Sequence, residues 1–185
     1  MYNVLGGGFN MKYLVVSDIH GSSESCNIFI EKFNQFNADK IIILGDILYH
    51  GPRNDLPDFY NPKKVISLLN PLADKIIAVR GNCDAEVDQM VLDFKIHENF
   101  VLDNILLTHG HHINHLNPTS DISIKHVFHG HSHIIKKDVV NNVAYVNIGS
   151  ITIPKENTAR CYGILENDVF SIYDLKDNLI LKHSL

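Results

Sequence analysis

Five short stretches of the sequence place an aspartate, an asparagine or a histidine directly after an apolar run, usually beside a glycine. They are Asp18-Ile19-His20, Gly45-Asp46, Gly81-Asn82, His109-Gly110-His111 and Gly130-His131-Ser132-His133. Carboxylate, amide and imidazole ligands in combination suit Mn²⁺, Fe or Zn²⁺ better than they suit a thiolate-rich zinc site. We therefore interpret these stretches as the ligands of a metal centre.

The Asp-x-His and His-x-His spacings predict that both side chains of a pair reach one point. Residues i and i+2 of an extended strand point to the same face, and the neighbouring glycines permit a close approach. Two cations about 3.5–4 Å apart that share a carboxylate are the usual clamp for phosphoryl displacement. Each motif alone is also typical of a turn or a helix cap, so it is their occurrence at successive strand ends that favours a site.

The elements that must position these residues alternate in the first half of the chain. Continuous apolar runs predict buried strands, and apolar residues at helical spacing predict a helix. Asn61 and Pro62 fit an N-cap and the first position of a second helix. The predicted elements are strands at 12–18, 40–46 and 75–82 and helices at 23–36 and 62–69. This order indicates parallel βαβ units, whose ligands bind outside the carboxyl ends of the strands.

The second half predicts short strands with few gaps long enough for a helix. The runs cover 91–100, 104–110, 125–131, 134–140, 143–150, 159–166 and 169–175. Asn141-Asn142 and Asn167-Asp168 are typical of hairpin turns. A short helix is predicted near 118–123, and His129 is expected within a strand. The fold class is α/β, a sandwich that is parallel first and mixed or antiparallel later.

Length and composition limit the classes of function. A chain of 185 residues suits one domain, expected at 11–185, with residues 1–10 as a flexible leader or an artificial remnant. No apolar run of about 18 residues is present, so no membrane partner is expected. Three cysteines without CxxC spacing favour reduced thiols and a cytoplasmic location. A net charge of −5 argues against binding a long nucleic acid.

The ordered motifs resemble those of the calcineurin-like metallophosphoesterases. Longer strings look like the YfcE-type bacterial phosphodiesterases, and the resemblance covers about residues 12–182: SDIHG, GDILYHGPRN, VRGNCDAEVDQM, LTHGH, GHSH and NIGSITIPK. It implies a four-layer α/β/β/α sandwich and a hydrolase that cleaves a small phosphodiester. It also implies a homo-oligomer and two divalent metal ions, with Mn²⁺ expected and Zn²⁺, Fe or Mg²⁺ as alternatives.

The resemblance also implies a role for each ligand. One metal would be held by Asp18, His20 and His133. The other would be held by Asn82, His109 and His131, and Asp46 would bridge the two. A hydroxide between the metals would attack phosphorus in line with the leaving alkoxide. This hydroxide would exist at neutral pH because metal binding lowers the pKa of water from about 15.7 toward 7.

Three further residues are catalytic candidates, each with an alternative. Cys83 stands where many members of the superfamily have a histidine, and it is either a weak leaving-group acid or a small packing residue. His111 either faces the phosphate or orients a ligand, or it is a plain surface histidine. Arg53 either clamps a phosphate oxygen, which guanidinium geometry suits, or forms a loop salt bridge. Asp84 is expected to cap a turn or face solvent.

Three other functions remain open. A phosphomonoesterase or protein phosphatase is weakened by the absence of inserted recognition segments. A non-catalytic scaffold with the same fold is weakened by the complete ligand set. A module that only stores or senses metal is weakened by the expected bridging carboxylate.

Overall fold

The computed structural model describes residues 4–5 and 11–185, and in it two β-sheets face each other. The prediction for residues 1–10 lies outside the described residues, except that the backbone of Val4–Leu5 forms a short strand. None of the helices in the described part of the chain is both long and apolar enough to cross a membrane.

The described elements are two α-helices, two short 3₁₀ segments and thirteen strands. The helices are α1 (Ser23–Gln35) and α2 (Pro62–Leu69), and the 3₁₀ segments are Asn70–Lys75 and Glu86–Met90. The strands are β1 (Val4–Leu5), β2 (Tyr13–Val16), β3 (Lys40–Ile43), β4 (Ile76–Val79), β5 (Ile96–His97), β6 (Phe100–Leu102), β7 (Ile105–Leu107), β8 (His126–His129), β9 (Ile135–Val140), β10 (Val143–Ile148), β11 (Cys161–Glu166), β12 (Val169–Asp174) and β13 (Leu179–Ser184).

The first half of the chain confirms the predicted alternation of strands and helices. Strands β2, β3, β4 and β5 are parallel neighbours in a seven-stranded sheet of order β13-β12-β11-β2-β3-β4-β5. The Asn61 side chain accepts the Lys64 amide at the start of α2, as the N-cap pattern predicts. Both helices pack on the outer face of this sheet through Phe29, Val65 and their neighbours.

The second half forms a six-stranded sheet of order β1-β6-β7-β8-β10-β9, together with the antiparallel strands β11–β13 of the other sheet. Strands β7, β8 and β10 are parallel, whereas β9 and β10 are antiparallel, so the mixed arrangement is confirmed. Asn141–142 and Asn167–Asp168 have positive φ and connect the two predicted hairpins. The expected α/β sandwich is therefore confirmed.

Three details differ from the predictions. The predicted short helix near 118–123 is not formed. Thr119 Oγ1 accepts the Asp121 amide and Asp121 Oδ1 accepts the Ser123 amide. Such local bonds compete with helix formation. The run 91–100 supplies two short strands, β5 and β6, which belong to different sheets. The edge strand β13 has no counterpart among the predicted runs.

The main core lies between the two sheets and holds them face to face. Val15, Ile42, Phe128 and Phe170 are fully buried there, and the rings of Phe128 and Phe170 stack with centroids 4.2 Å apart. Fully burying one such side chain contributes about 1.5–3 kcal/mol. Because this core fixes β2–β4 against β7 and β8, the carboxyl ends of these five strands meet along one rim.

Candidate metal centre

The structure places every predicted ligand just beyond the end of a strand on this rim. Asp18 and His20 follow β2, and Asp46 follows β3. Asn82 follows β4, His109 follows β7, and His131 and His133 follow β8. Five of the seven are buried, whereas His131 is half-buried and Asn82 is exposed.

The predicted ligands converge for a different reason from the one that their i, i+2 spacing suggests. Residues i and i+2 share a face only in an extended strand, but β2 ends at Val16 and β8 ends at His129, before the predicted ligands begin. Five ligands adopt left-handed φ angles instead: Asp18 (58°), His20 (48°), Asp46 (56°), His131 (69°) and His133 (61°). Such angles are uncommon for residues other than glycine and cluster at functional sites.

Two glycines are required because the ligands approach their backbone closely. A Cβ on Gly81 would lie 2.0 Å from Asp46 Oδ1 and 2.3 Å from the Asp46 nitrogen. A Cβ on Gly130 would lie 1.9 Å from Ser17 Oγ and 2.4 Å from Asp18 Oδ2. Both contacts are shorter than any real Cβ contact, so only glycine fits.

Asp18, His20 and His133 form the first group of predicted ligands. Asp18 Oδ1 lies 3.2 Å from His133 Nε2 and 3.6 Å from His20 Nε2, and the two imidazole nitrogens are 3.3 Å apart. The other carboxylate oxygen of Asp18 accepts Ser17 Oγ–H and the His131 amide. One oxygen is therefore used to orient the carboxylate, and the other faces the two histidines.

Asp46, His109 and Asn82 form the second group. His109 Nε2 lies 3.4 Å from Asp46 Oδ2 and 3.1 Å from Asn82 Oδ1. Asp46 Oδ2 is also 3.6 Å from His20 Nε2, so this one oxygen lies between the two groups. Asp46 Oδ1 accepts the Cys83 amide at 2.8 Å, which fixes the carboxylate. The His131 ring lies beside this group, with its centroid 5.1 Å from that of His109.

Three backbone carbonyls fix the tautomer of the buried histidines. The Nδ1–H groups of His20, His109 and His133 donate to the carbonyls of Tyr49 (2.9 Å), Leu44 (2.7 Å) and Ile153 (2.6 Å). Since a carbonyl only accepts, each neutral ring keeps a lone pair on Nε2, the atom directed into the site. This arrangement is the usual one for metal-binding histidines.

The donor set fits a cation. Without one, the Nε2 lone pairs of His20 and His133 face each other and face carboxylate oxygens, which is repulsive unless a proton or a metal ion lies between them. Asp18 Oδ1 is buried without a hydrogen-bond partner, and such an atom is costly to leave unpaired. The groups Asp18–His20–His133 and Asp18–Asp46–His109 each offer ligand atoms within 4.8 Å of one another.

In the metal-free site, the shifted pKa values keep Asp18 and Asp46 charged and keep His109 protonated at neutral pH. Burial alone would raise the pKa of Asp18, but the neighbouring His133 and His20 rings hold it well below its usual value. Burial also opposes the low pKa of Asp46, which the His109 hydrogen bond produces. For His109, burial would lower the pKa, yet the Asp46 hydrogen bond and the nearby carboxylates raise it to about 9.

A pH dependence of stability follows for the metal-free protein. The His109 pKa is higher in the folded state than the unfolded value of about 6.5, so its contribution is complete below about pH 6.5. That contribution is lost as the pH rises through about 9. We expect the melting temperature of chelator-treated protein to fall between pH 6.5 and pH 9.

Thermal unfolding followed by circular dichroism at several pH values measures this effect. The matched control is the same series with saturating Mn²⁺, in which the fall should disappear because metal binding requires the deprotonated imidazole. A melting temperature of the chelated protein that stays constant over this interval would contradict the assignment of His109.

Asp84 is a functional residue that the sequence reasoning missed. Instead of capping a turn or facing solvent, it is buried and accepts the amides of Asp46 (2.9 Å), Ile47 (2.7 Å) and Gly81 (2.7 Å). Burial raises its pKa. It therefore ties the loop of Asp46 to the loop of Asn82, and its position two residues after Asn82 was the available signal.

The three catalytic candidates lie at different distances from this centre. Cys83 is half-buried, its Sγ lies within 4.8 Å of ligand atoms of His20 and Asp46, and burial together with the Asp46 charge raises its pKa to about 12. The His111 ring lies 5.4 Å from His109 and 6.0 Å from His131 between centroids, and burial and His109 lower its pKa to about 4.

Arg53 is exposed and lines a cleft above the ligands. Asp46, Asn82, His131 and His133 form the floor of this cleft, and Lys155 lies on its wall. No ion pair of Arg53 with an acidic side chain occurs among residues 11–185, so the loop salt bridge is not formed. The cleft therefore presents two cationic side chains beside the ligand groups.

Comparison with known proteins identifies the family of this chain. A calcineurin-like phosphoesterase superfamily domain matches residues 11–169. The chain is 42% identical over 176 residues to phosphodiesterase YfcE of Escherichia coli K12, covering 92% of this chain and 96% of that protein. It is 28% identical over 185 residues to the probable metallophosphoesterase YsnB of Bacillus subtilis, covering 92% and 95%.

A solved structure of YfcE, described as a phosphoesterase from E. coli, superimposes with a TM-score of 0.87 at 40% identity and covers 94% of this chain and 99% of that one. The two-sheet architecture is thus that of the metallophosphoesterase fold. Motif order, ligand geometry and similarity along most of the chain agree, and the protein belongs to the calcineurin-like phosphoesterase superfamily.

Proposed function

We propose that the protein is a phosphodiesterase that hydrolyses a small phosphodiester with the help of two divalent cations, of which Mn²⁺ is the expected one. The observation that carries the proposal is the position of Asp46 Oδ2 between His20 Nε2 and His109 Nε2, at 3.6 and 3.4 Å. A carboxylate oxygen placed between two ligand groups is what a paired-cation centre requires. The similarity to YfcE, which is named a phosphodiesterase, supports the choice of a diester.

Each ligand has one task in this proposal. Asp18, His20 and His133 would hold one ion. Asn82, His109 and His131 would hold the other, with Asp46 shared. Such ions supply a hydroxide at neutral pH and neutralise charge on the phosphoryl oxygens. The carbonyls behind the histidines and the Cys83 amide on Asp46 keep the ligands from turning away.

The two cationic side chains of the cleft would bind the substrate anion. Arg53 can donate two parallel hydrogen bonds to phosphoryl oxygens, and Lys155 can place a compact charge on the other side. Lys155 is tied to the site because its amide donates to the His133 carbonyl at 3.1 Å. We assign both residues to substrate positioning.

Cys83 fits packing better than proton transfer. A general acid works best when its pKa lies near the working pH, and the pKa of this thiol is raised to about 12. Its side chain fills the space above Gly51, where an added Cβ would lie 2.8 Å from Sγ. Activity would then depend on a diester whose leaving group departs without a strong acid.

The compartment and the assembly are also part of the proposal. All three cysteines are free thiols, which supports a reducing cytoplasm. The expectation of a homo-oligomer stays a prediction.

The preference for diesters separates this function from that of a phosphomonoesterase. With Mn²⁺ present, we expect kcat/KM for bis-p-nitrophenyl phosphate to exceed that for p-nitrophenyl phosphate by at least about tenfold, or about 1.4 kcal/mol in transition-state binding. Release of p-nitrophenolate measures both rates, and chelator-treated protein is the control for contaminating enzymes. A higher kcat/KM for the monoester would assign the site to a phosphomonoesterase.

A further inference from the structure

A second cavity adjoins the metal centre, and Arg53 is not among the residues that line it. Its volume is about 490 Å³, within the range of about 300–1,000 Å³ that small-molecule sites occupy. His131 lines both this cavity and the cleft over the ligands, so the two spaces meet at a ligand side chain. A group attached to a phosphate at the centre can therefore reach this cavity.

His129 supplies an unpaired hydrogen-bond acceptor in the wall of the cavity. This residue is only 4% exposed, and its Nδ1–H donates to the Gly130 carbonyl at 3.2 Å. Among residues 11–185 no hydrogen bond to its Nε2 is formed, and this atom is not one of their fully buried unpaired atoms, so solvent reaches it. A neutral imidazole with Nδ1 protonated accepts at Nε2, so this nitrogen is available to a donor on a ligand.

The other polar groups of the cavity wall indicate which ligands the cavity would not favour. Asp138 is already paired with Lys136 at 3.1 Å and lies 3.5 Å from His115, and the Asn147 side chain is used by Gly130, Ser132 and Gly149. Glu156 adds a second carboxylate at the rim. With two carboxylates and one lysine, the cavity has no positive excess and would not favour a second phosphate.

The apolar part of the wall is formed by Leu116 and Ile134. Leu116 is 83% exposed, although a large apolar side chain on a loop gains stability only when it is covered. A flat or ring-shaped group lying against these side chains would bury them. The cavity therefore combines an apolar face with acceptors that can bind donors of a ligand.

We propose that this cavity binds one alcohol portion of the diester, and that this portion is an uncharged, nucleoside-sized group carrying hydroxyl or amino donors. The inference rests on the proposed phosphodiesterase function and names the substrate class for it. The metal centre holds the phosphate, and the cavity holds the group that stays on it or leaves from it. An acyl chain would leave the His129 nitrogen unpaired, and a second phosphate would meet Asp138 and Glu156.

Two chromogenic diesters that release the same p-nitrophenolate test this inference. They are thymidine 5′-(p-nitrophenyl phosphate) and methyl p-nitrophenyl phosphate, assayed with Mn²⁺. We expect kcat/KM to be at least about tenfold higher for the thymidine ester, as a gain of about 1.4 kcal/mol in binding would give. The ratio of the two values is the readout because a variant that is partly misfolded lowers both rates equally.

Two substitutions test whether the cavity wall causes the preference for the thymidine ester. His129→Phe keeps the ring and removes the acceptor, and Leu116→Asp removes the apolar face on an exposed loop without affecting the core. Each should lower the ratio several-fold. Ile122→Asp is the matched control for Leu116→Asp, since Ile122 is 90% exposed and lies outside the cavity wall, and it should leave the ratio unchanged.

The outcomes separate the two proposals. A wild-type ratio near one, or a high ratio that neither variant lowers, overturns the cavity assignment while leaving the phosphodiesterase function in place. Failure to hydrolyse either diester with Mn²⁺ overturns the proposed function and the inference with it.

Discussion

Replacing Asp46 with asparagine is expected to lower kcat/KM for bis-p-nitrophenyl phosphate by at least about a thousandfold, or about 4 kcal/mol of transition-state stabilisation. The substitution preserves shape, and the remaining amide oxygen can still accept the Cys83 amide that now binds Oδ1. What changes is the Oδ2 position, which becomes an NH₂ group that cannot bind a cation. It would instead donate to the Nε2 atoms of His20 or His109, which lie 3.6 and 3.4 Å away.

The fold should survive this substitution because asparagine keeps the shape of the side chain and its bond to the Cys83 amide. In the absence of metal we expect a melting temperature below that of the wild type at neutral pH, because protonated His109 loses its carboxylate partner, and no increase when Mn²⁺ is added. Asp93→Asn, on an exposed carboxylate away from the centre, is the matched control and should keep full activity. An Asp46→Asn protein that retained wild-type kcat/KM would show that this carboxylate has no part in the reaction.

Gly81→Ala is the second substitution with a large expected effect, although it removes no chemical group. The added Cβ would lie 2.3 Å from the Asp46 backbone nitrogen and 2.0 Å from its Oδ1, so the Asp46 loop has to move. That loop is also held by Asp84, which binds the amides of both Asp46 and Gly81. We expect a fall in the free energy of unfolding of about 1–3 kcal/mol, as overpacking costs.

The loss of activity should exceed what this loss of stability explains. A displacement of about 1 Å can cost about a hundredfold in rate, and here the displaced group is the proposed shared ligand. Gly163→Ala provides the comparison, because its Cβ would lie 2.4 Å from the Phe170 ring in the core between the sheets. It should lower the melting temperature but keep the specific activity of the folded protein, which circular dichroism and the diester assay measure together. Equal specific activities in the two variants would contradict the importance of Asp46 placement.

Sequence patterns predicted the elements well wherever local physics decides them. Asn61 and Pro62 set the start of α2, and the asparagine pairs set the hairpins, because each acts on its own neighbours. Patterns failed where long-range contacts decide. The run 91–100 contributes strands to two sheets, and in the segment 118–123 the Thr119 amide donates to the Tyr145 hydroxyl, 26 positions away, instead of forming a helix.

The convergence of the predicted ligands could be read from the sequence, but their local geometry could not. The order of ligands after buried strands is readable from the chain, and the structure brings these residues to one rim. The left-handed backbone at Asp18 and His133 could not be predicted, because it is uncommon for every residue except glycine and here depends on tertiary contacts. For Asp18 these contacts include the His131 amide, 113 positions away in sequence. The role of Asp84 was hidden for the same reason, since its amide partners come from two loops.

The most direct measurement of the central claim is a Mn²⁺ titration of chelator-stripped protein that records bound metal per chain and hydrolysis of bis-p-nitrophenyl phosphate together, with Mg²⁺ and Zn²⁺ tested in turn. A paired-cation centre shared through Asp46 predicts no activity in the stripped protein and recovery that is complete only when two ions are bound per chain. Full activity without any cation, or full activity with a single ion bound, would contradict it.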